Sequence, residues 1–314
     1  MVINPVVPRK LKNGTWNLFL FSFRSDLFSF ENAHLKNLKF TSEITGTWPK
    51  KALAIGLQYS FQQTEEPMQN LNYQEVTWDL VWKNDHEKNS YSLNEWRDER
   101  ADDKVGYFIQ SGLMFKAGER VLDAGCGDGS ILFALKKHFD ISLVGADFSE
   151  EALVNASKNS IRKGVTLESH KADTRDLPFA ENSIDKIFSL GVVEHLADPE
   201  LAVNELARCL KPNGILVLMT PNKFSFGRVD RLIKSLLGIW KFGHQDEFSV
   251  EELSAMAISA GLNIQKVEVV KRRRFKNDST AFKLIYLFDS LLCAFNSRFG
   301  FYSYIFATKP EKGI

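Results

Sequence analysis

The chain has 314 residues, 44% of them hydrophobic and 25% charged, enough to bury one large core with an appendage. Forty Lys and Arg against 39 Asp and Glu leave a net charge of +1, which removes the basic balance expected of a nucleic-acid binder. Three widely separated cysteines, Cys126, Cys209 and Cys293, offer neither a disulfide framework nor metal-ligand spacing and predict a reducing, cytoplasmic setting; no apolar run reaches the ~18 residues of a membrane span.

Met1 to Lys12 has two prolines and three basic residues but no apolar signal core, so no export signal is expected. Residues 1–93 scatter Phe, Trp, Asn and Lys without a clean period and are expected to form an N-terminal extension of unread role. Within it Leu18–Phe23 is a short apolar run that fits a buried strand as well as a helix, and the surroundings of Pro49 and Pro67 read as turns.

Near Ser92 the texture changes. Ser92 and Glu95 have capping-box spacing, and a helix is predicted to run on to Phe115. After a turn at 116–119, strands and helices alternate. Val121–Ala124 is a predicted strand, Ser130–His138 a helix, and Ile141–Ala146 a strand ending in Asp147. Ser149, Glu150 and Glu151 open a helix with acids in its first turn, favourable to the helix dipole. Strands follow at Val165–Ser169 and Ile184–Leu190, then a helix over about Pro199–Leu210, a turn at 211–214 and an apolar strand at Ile215–Met219. This alternation predicts an α/β fold with a doubly wound parallel sheet. Beyond Pro221, residues 223–247 hold a basic-apolar helical segment. Ser249–Glu252 caps a helix that stops at Gly261, Asn263–Val270 alternates as a strand, Ala281–Phe295 reads as a helix, and Gly300–Thr308 as a closing strand.

Chemistry concentrates after the first strand of the alternating region. Gly125, Gly127 and Gly129 fall within five residues between that strand and a helix start, a loop that lets a ligand lie against bare backbone. A nicotinamide fingerprint would place its third glycine at Ser130, and this departure counts against a dinucleotide. Asp147 ends the second strand, 20 residues after Gly127, where a carboxylate accepts ribose hydroxyls or caps the following helix. Asp173 follows the third strand and faces the same edge of the sheet, where it accepts from an adenine amino group.

The matching text is LDAGCGDG at 122–129, GADFS at 145–149, KADTRDLPF at 171–179, VVEHL at 192–196, LKPNG at 210–214 and TPN at 220–222. On these blocks the chain resembles the class I S-adenosylmethionine-dependent methyltransferases, and within them the ubiquinone-pathway O-methyltransferases, over roughly residues 94–270. The resemblance implies a Rossmann-like, seven-stranded sheet whose last strand is antiparallel. It makes 94–314 the methyltransferase domain, with 223–247 and 271–299 as acceptor-side insertions. It also implies S-adenosylmethionine as cofactor, held by Asp123 (amino group), the loop at Gly125, Cys126 and Gly127 (methionine part), Asp147 (ribose), Asp173 and Thr174 (adenine) and Leu190 (pocket wall), with Phe148 a further cofactor-binding residue.

Methyl transfer from a sulfonium asks mainly for proximity, and for a base only where the acceptor is a poor nucleophile. His195 is the candidate base, its unperturbed pKa of ~6.5 suited to the role; Glu194 and His244 are further candidates. A packing role for either histidine stays open. The subgroup carries a second carboxylate three residues before the Glu of its Glu-His pair; here Gly191 stands there, and no metal site is expected. The expected acceptor is small or lipid-like, with oxygen or nitrogen as the methylated atom. Residues 271–283 hold six Lys or Arg and one acid beside an apolar helix, so peripheral membrane contact through 271–295 is a further expectation. A non-catalytic cofactor-binding subunit and a nicotinamide oxidoreductase remain the rival readings.

Overall fold

A computed structural model describes residues 9–10, 16–18, 57–58, 73–87, 91–271, 273 and 280–311. The chain divides into two units, Met1–Gln69 and Asn70–Ile314. In the first, the described residues form a small antiparallel sheet in which β2 (Trp16–Leu18) pairs with both β1 (Arg9–Lys10) and β3 (Leu57–Gln58). Residues 19–23, Pro49 and Pro67 lie outside the described residues.

The second unit opens with α1 (Tyr73–Glu87) and α2 (Tyr91–Gln110). It continues with β4 (Arg120–Ala124), α3 (Ser130–Lys136), β5 (Ser142–Asp147), α4 (Glu150–Lys163), β6 (Glu168–Lys171) and β7 (Ile184–Leu190). A single 3-10 turn, Val193–His195, precedes α5 (Pro199–Cys209) and β8 (Leu210–Pro221). Last come α6 (Phe226–Leu236), α7 (Val250–Ser259), β9 (Asn263–Val270), α8 (Thr280–Phe295) and β10 (Tyr302–Thr308).

The seven strands form one sheet in the order β6-β5-β4-β7-β8-β10-β9, with β10 antiparallel to both of its neighbours. The expected α/β, doubly wound architecture with its antiparallel last strand is therefore present. Winding reverses between β4 and β7, and in such sheets the crevice for a ligand opens at the carboxyl ends of those strands. Alternate residues feed two cores. Leu122, Val144, Ile187, Leu216 and Ile305 pack under α5 and α7, while Val121, Phe188, Val217 and Tyr304 pack under α2 and α3.

Local signals explain the boundaries. Ser149 caps α4 by accepting from Ala152 N at 3.2 Å, and Gly164, at φ 63°, ends it. A reciprocal Ser249–Glu252 capping box starts α7. Three expectations shift. The helix predicted to run to Phe115 stops at Gln110, because Gly112 takes φ 85° and Leu113 N bonds back to Phe108 O. The third strand is Glu168–Lys171 rather than Val165–Ser169. Thr174 and Asp173 then follow it at the edge expected for them. Finally, α1 belongs to the second unit, packing on α4, so the units part at residue 69 and not at 93.

The two excursions expected on the acceptor side both close at their bases. Asn222 bridges Phe248 across residues 223–247, and Val270 pairs with Tyr302 across 271–301. Asn222 Nδ2 joins the two, donating to Arg298 O at 2.8 Å and Gly300 O at 3.0 Å.

Candidate functional site

The glycine loop leaves β4 and folds back on β5, with Gly125 N and Cys126 N both donating to Ala146 O at 2.7 and 3.0 Å. Gly125 sits at φ 86°, and a Cβ there would fall inside the Val192 side chain. Gly127 sits at φ 53°, and its Cβ would lie 2.6 Å from the Trp82 ring. Neither position has room or backbone freedom for a side chain. Cys126 turns its buried thiol under the loop, against Gly145, so this residue offers the site only its backbone.

Asp147 ties the loop to the next strand. Its Oδ2 accepts from Gly127 N and its Oδ1 from Ser149 N, both at 2.9 Å. It is therefore both a clamp on the backbone and a wall of the cavity, and each oxygen keeps lone-pair capacity. Burial pushes its carboxyl up to about 6, against the two backbone N–H groups that favour the charge. Asp173 and Thr174 form the opposite wall. Burial alone would raise the Asp173 carboxyl, but Arg175 (Nε at 3.0 Å, Nη2 at 2.6 Å) outweighs it and holds the group below its ordinary value.

These residues line one cavity of about 220 Å³, together with Phe148, Leu190, Gly191, Val192, His195 and Leu196. Trp78 and Trp82 complete the lining from α1, in the region that the sequence left unread. Trp82 roofs Gly127 and carries the Arg97 guanidinium 4.6 Å above its ring; Arg97 in turn bonds Asp128 at 2.9 Å. Asp79, between the two tryptophans, accepts from Ser149 Oγ at 2.5 Å. The spacing of Trp78 and Trp82, four apart on a helix, is the signal that would have marked them.

Beneath the loop, Asp123 is 3% exposed, and its Oδ1 has no hydrogen-bond partner. Burial pushes its carboxyl up to about 8, partly opposed by the Lys104 ammonium. Glu194 repeats the pattern on the 3-10 turn. It is buried, its Oε2 is unpartnered, and burial raises it to about 8. Lys104 stands between these acids electrostatically and is itself lowered by burial.

His195 lines the cavity, and its ring stands edge-on to Trp78 at 5.0 Å. Its Nδ1 lies 2.7 Å from the His244 carbonyl, which can only accept, so Nδ1 carries the proton and Nε2 is the acceptor nitrogen. Burial lowers its pKa to about 4, not the 6.5 expected of an unperturbed base, so the ring is neutral at physiological pH. His244 contributes that carbonyl; its imidazole is exposed and pairs with Asp246 at 3.1 Å, away from the cavity lining. Among the described residues no group of three His, Cys, Asp or Glu is placed to hold a metal ion.

Residues 122–218 match the family described as methyltransferase domain. A ubiquinone biosynthesis O-methyltransferase of Agrobacterium fabrum is 32% identical over 152 residues, 47% of this chain and 60% of that protein. A demethylmenaquinone methyltransferase of Thermus thermophilus is 30% identical over 169 residues, 48% of this chain and 77% of that protein. Among solved structures, a phosphoethanolamine N-methyltransferase 2 of Haemonchus contortus, in complex with phosphomonomethylethanolamine and S-adenosylhomocysteine, shares the fold. Its TM-score is 0.57 at 16% identity, covering 82% of this chain and 63% of that one. The chain spans 42% and 60% of the length of two ubiquinone-pathway relatives it matches. It belongs to the S-adenosylmethionine-dependent methyltransferases.

Proposed function

We propose that this chain moves a methyl group from S-adenosylmethionine to an oxygen or nitrogen of a small or lipid-like acceptor. The observation that carries the reading is a single cavity walled by the glycine loop, Asp147 and Asp173 at the carboxyl edge of the sheet. The residues present fit such a cofactor. The buried, unpartnered Asp123 Oδ1 suits its ammonium, and the Gly125–Gly127 backbone leaves the cradle free of Cβ atoms.

Bound there, the cofactor would supply a methyl group activated by its positively charged sulfur, with the neutral thioether as leaving group. The chain's own part is positioning, which can be worth ~7–11 kcal/mol. Asp147 holds ribose hydroxyls with the lone pairs its backbone contacts leave, Asp173 and Thr174 hold the base, and Leu190 with Phe148 excludes water. His195, neutral and fixed in one tautomer, takes at Nε2 the proton that leaves an acceptor hydroxyl. With a pKa near 4 it is too weak to ionise that hydroxyl beforehand, so proton loss follows the forming bond. Glu194 supports this wall from beneath. No described helix is long and apolar enough to cross a membrane.

Isothermal titration of the full chain tests the reading. S-adenosylmethionine and S-adenosylhomocysteine are expected to bind at micromolar concentration. No heat from either, alongside binding of NAD, would reject it.

A further inference from the structure

Two neighbouring helices present their faces the opposite way round from helices that cover a sheet in water. On α6, Val229, Leu232, Ile233, Leu236 and Leu237 recur at helical spacing and are all exposed, Leu236 to 87%. No residue of α6 is buried. Its charges turn toward the protein instead: Arg231 binds Glu247, whose side chain is only 4% exposed, and Arg228 Nε lies 3.7 Å from the same carboxylate.

On α8 the pattern repeats. Leu284, Leu287, Phe288, Leu291 and Phe295 share one exposed face, while the helix's acid, Asp289, is buried and accepts from Ser225 Oγ and Phe226 N, both at 2.8 Å. A covering helix buries its apolar stripe and wets its polar one; here both helices do the reverse. They meet through the stacked rings of Phe226 and Phe288, 4.8 Å apart, so the two stripes form one surface. That surface leads to the site. Past α6, Ile239 is exposed, Trp240 packs on Phe242 at 5.1 Å, and Phe242 lies 5.8 Å from Trp78 in the cavity wall.

We propose that the face built by α6, residues 237–242 and α8 docks on an anionic lipid surface, from which the acceptor enters the cavity; the second clause rests on the function proposed above. Charge selects this occupant. Arg228 and Arg231 are met by Glu247 and Lys234 by Asp230 at 2.6 Å, so the cations this face offers outward are the exposed Lys241 and Lys283, while its other acid, Asp289, is buried. A second copy of the chain would set that cationic excess against itself, whereas anionic headgroups neutralise it. At 16 residues α8 is short for a span, and an apolar face of this kind lies in the interface plane, where a Trp such as Trp240 also sits well. The surface differs from the basic cluster expected at 271–274. There Arg273 is paired with Asp103 at 2.8 Å, and Arg272 and Arg274 lie outside the described residues.

Co-sedimentation of the full chain with vesicles of phosphatidylcholine, with and without phosphatidylglycerol, tests the proposal. The wild type is expected to pellet with the anionic vesicles at low salt and to be released as salt rises. Lys241→Gln combined with Lys283→Gln should lower the partition coefficient about fivefold for each charge removed, the equivalent of ~1 kcal/mol. Leu236→Ser combined with Ile239→Ser should lower it at least about tenfold, taking ~0.8 kcal/mol per buried methylene equivalent. S-adenosylhomocysteine titration of each variant should match the wild type, which separates failed docking from a failed site. Vesicle binding without S-adenosylhomocysteine binding would leave the docking face standing and remove the site reading. Wild-type protein that stays in the supernatant with anionic vesicles at low salt would overturn the proposal. So would equal binding to neutral vesicles, or a dimer that the Leu236→Ser, Ile239→Ser pair returns to monomer without any vesicle binding.

Discussion

On the glycine-loop side of the cavity, polar groups are held by backbone and by one another. Asp147 clamps two N–H groups, Asp128 is held by Arg97, Ser149 bonds Asp79, and Trp82 closes over Gly127. On the other side, two helices turn leucines outward, Glu194 Oε2 has no partner, and the His195 ring is held by a loop carbonyl and the edge contact with Trp78. The first arrangement suits a ligand of one fixed shape, because the loop backbone and Asp147 are set before it arrives and only Asp123 Oδ1 beneath them is left without a partner. The second suits a partner that is apolar, variable, or both. On the function proposed above, the contrast assigns the constant part of the reaction to one half of the sheet and the choice of acceptor to the other.

Gly125→Val is the sharpest way to break the comparison. Backbone strain of ~1–3 kcal/mol and overpacking of ~1–3 kcal/mol against Val192 should together weaken S-adenosylhomocysteine binding about 10³-fold. Calorimetry showing near-normal affinity would mean the loop is not pre-set. Across the cavity, His195→Ala is expected to cut turnover ~10²-fold while leaving cofactor affinity intact. At saturating cofactor, His195 should add no pH dependence to the wild-type rate between pH ~6 and ~8, since a ring held near 4 stays neutral there. A rate that titrates near 6.5 would restore the unperturbed base. Asp147→Ala should weaken cofactor binding by ~1.5–3 kcal/mol, roughly 10- to 150-fold; an unchanged dissociation constant in a folded variant would reduce Asp147 to a clamp.

The smallest effect is a proton. With its carboxyl near 8 in the free protein, Asp123 is protonated at neutral pH, and an ammonium beside it favours the charged form. Binding should therefore release a proton, and affinity should rise with pH up to about 8, at most tenfold per pH unit. Titrations in buffers of different ionisation enthalpy read the proton directly. The same raised pKa works the other way on the free fold. Folded Asp123 binds its proton more tightly than the unfolded chain does, so stability is fullest below about 4 and falls as pH rises through about 8. Asp123→Asn should remove that slope from the melting temperature.

Much of this was readable beforehand. Strand β7 falls on Ile184–Leu190 and β9 on Asn263–Val270, as their patterns predict, because an apolar run between turns, or a strict alternation, admits few other structures. Strand β6 was misplaced because Glu168–Lys171 is a polar edge strand, held by pairing with β5 rather than by burial. Helix α1 was missed because its two tryptophans, Trp78 and Trp82, line the cavity instead of a core and Leu80 is exposed. The stripe on α6 was visible as a period, but a period does not say which face meets the protein; the Arg231–Glu247 pair, sixteen residues apart, decides that. His195 was found by its motif, while its pKa depended on burial under Trp78 and the loop that carries His244, neither of which is local in sequence.

The bases of the two acceptor-side excursions have an evolutionary consequence. Residues 223–247 leave and return at the Asn222–Phe248 bridge, and 271–301 at the Val270–Tyr302 pair, with Asn222 fastening one base to the other. An excursion whose ends are pinned together can be lengthened, shortened or exchanged at little thermodynamic penalty, since doubling a loop costs only ~0.6 kcal/mol in closure entropy. The sheet and the glycine loop would not register the change. On the two proposals above, a lineage could acquire a new acceptor, or abandon the membrane, by exchanging these segments. The clamp of Asp147 on the glycine loop would be inherited as it is, while the Phe242 contact on Trp78 and the His244 carbonyl on His195 would have to be rebuilt.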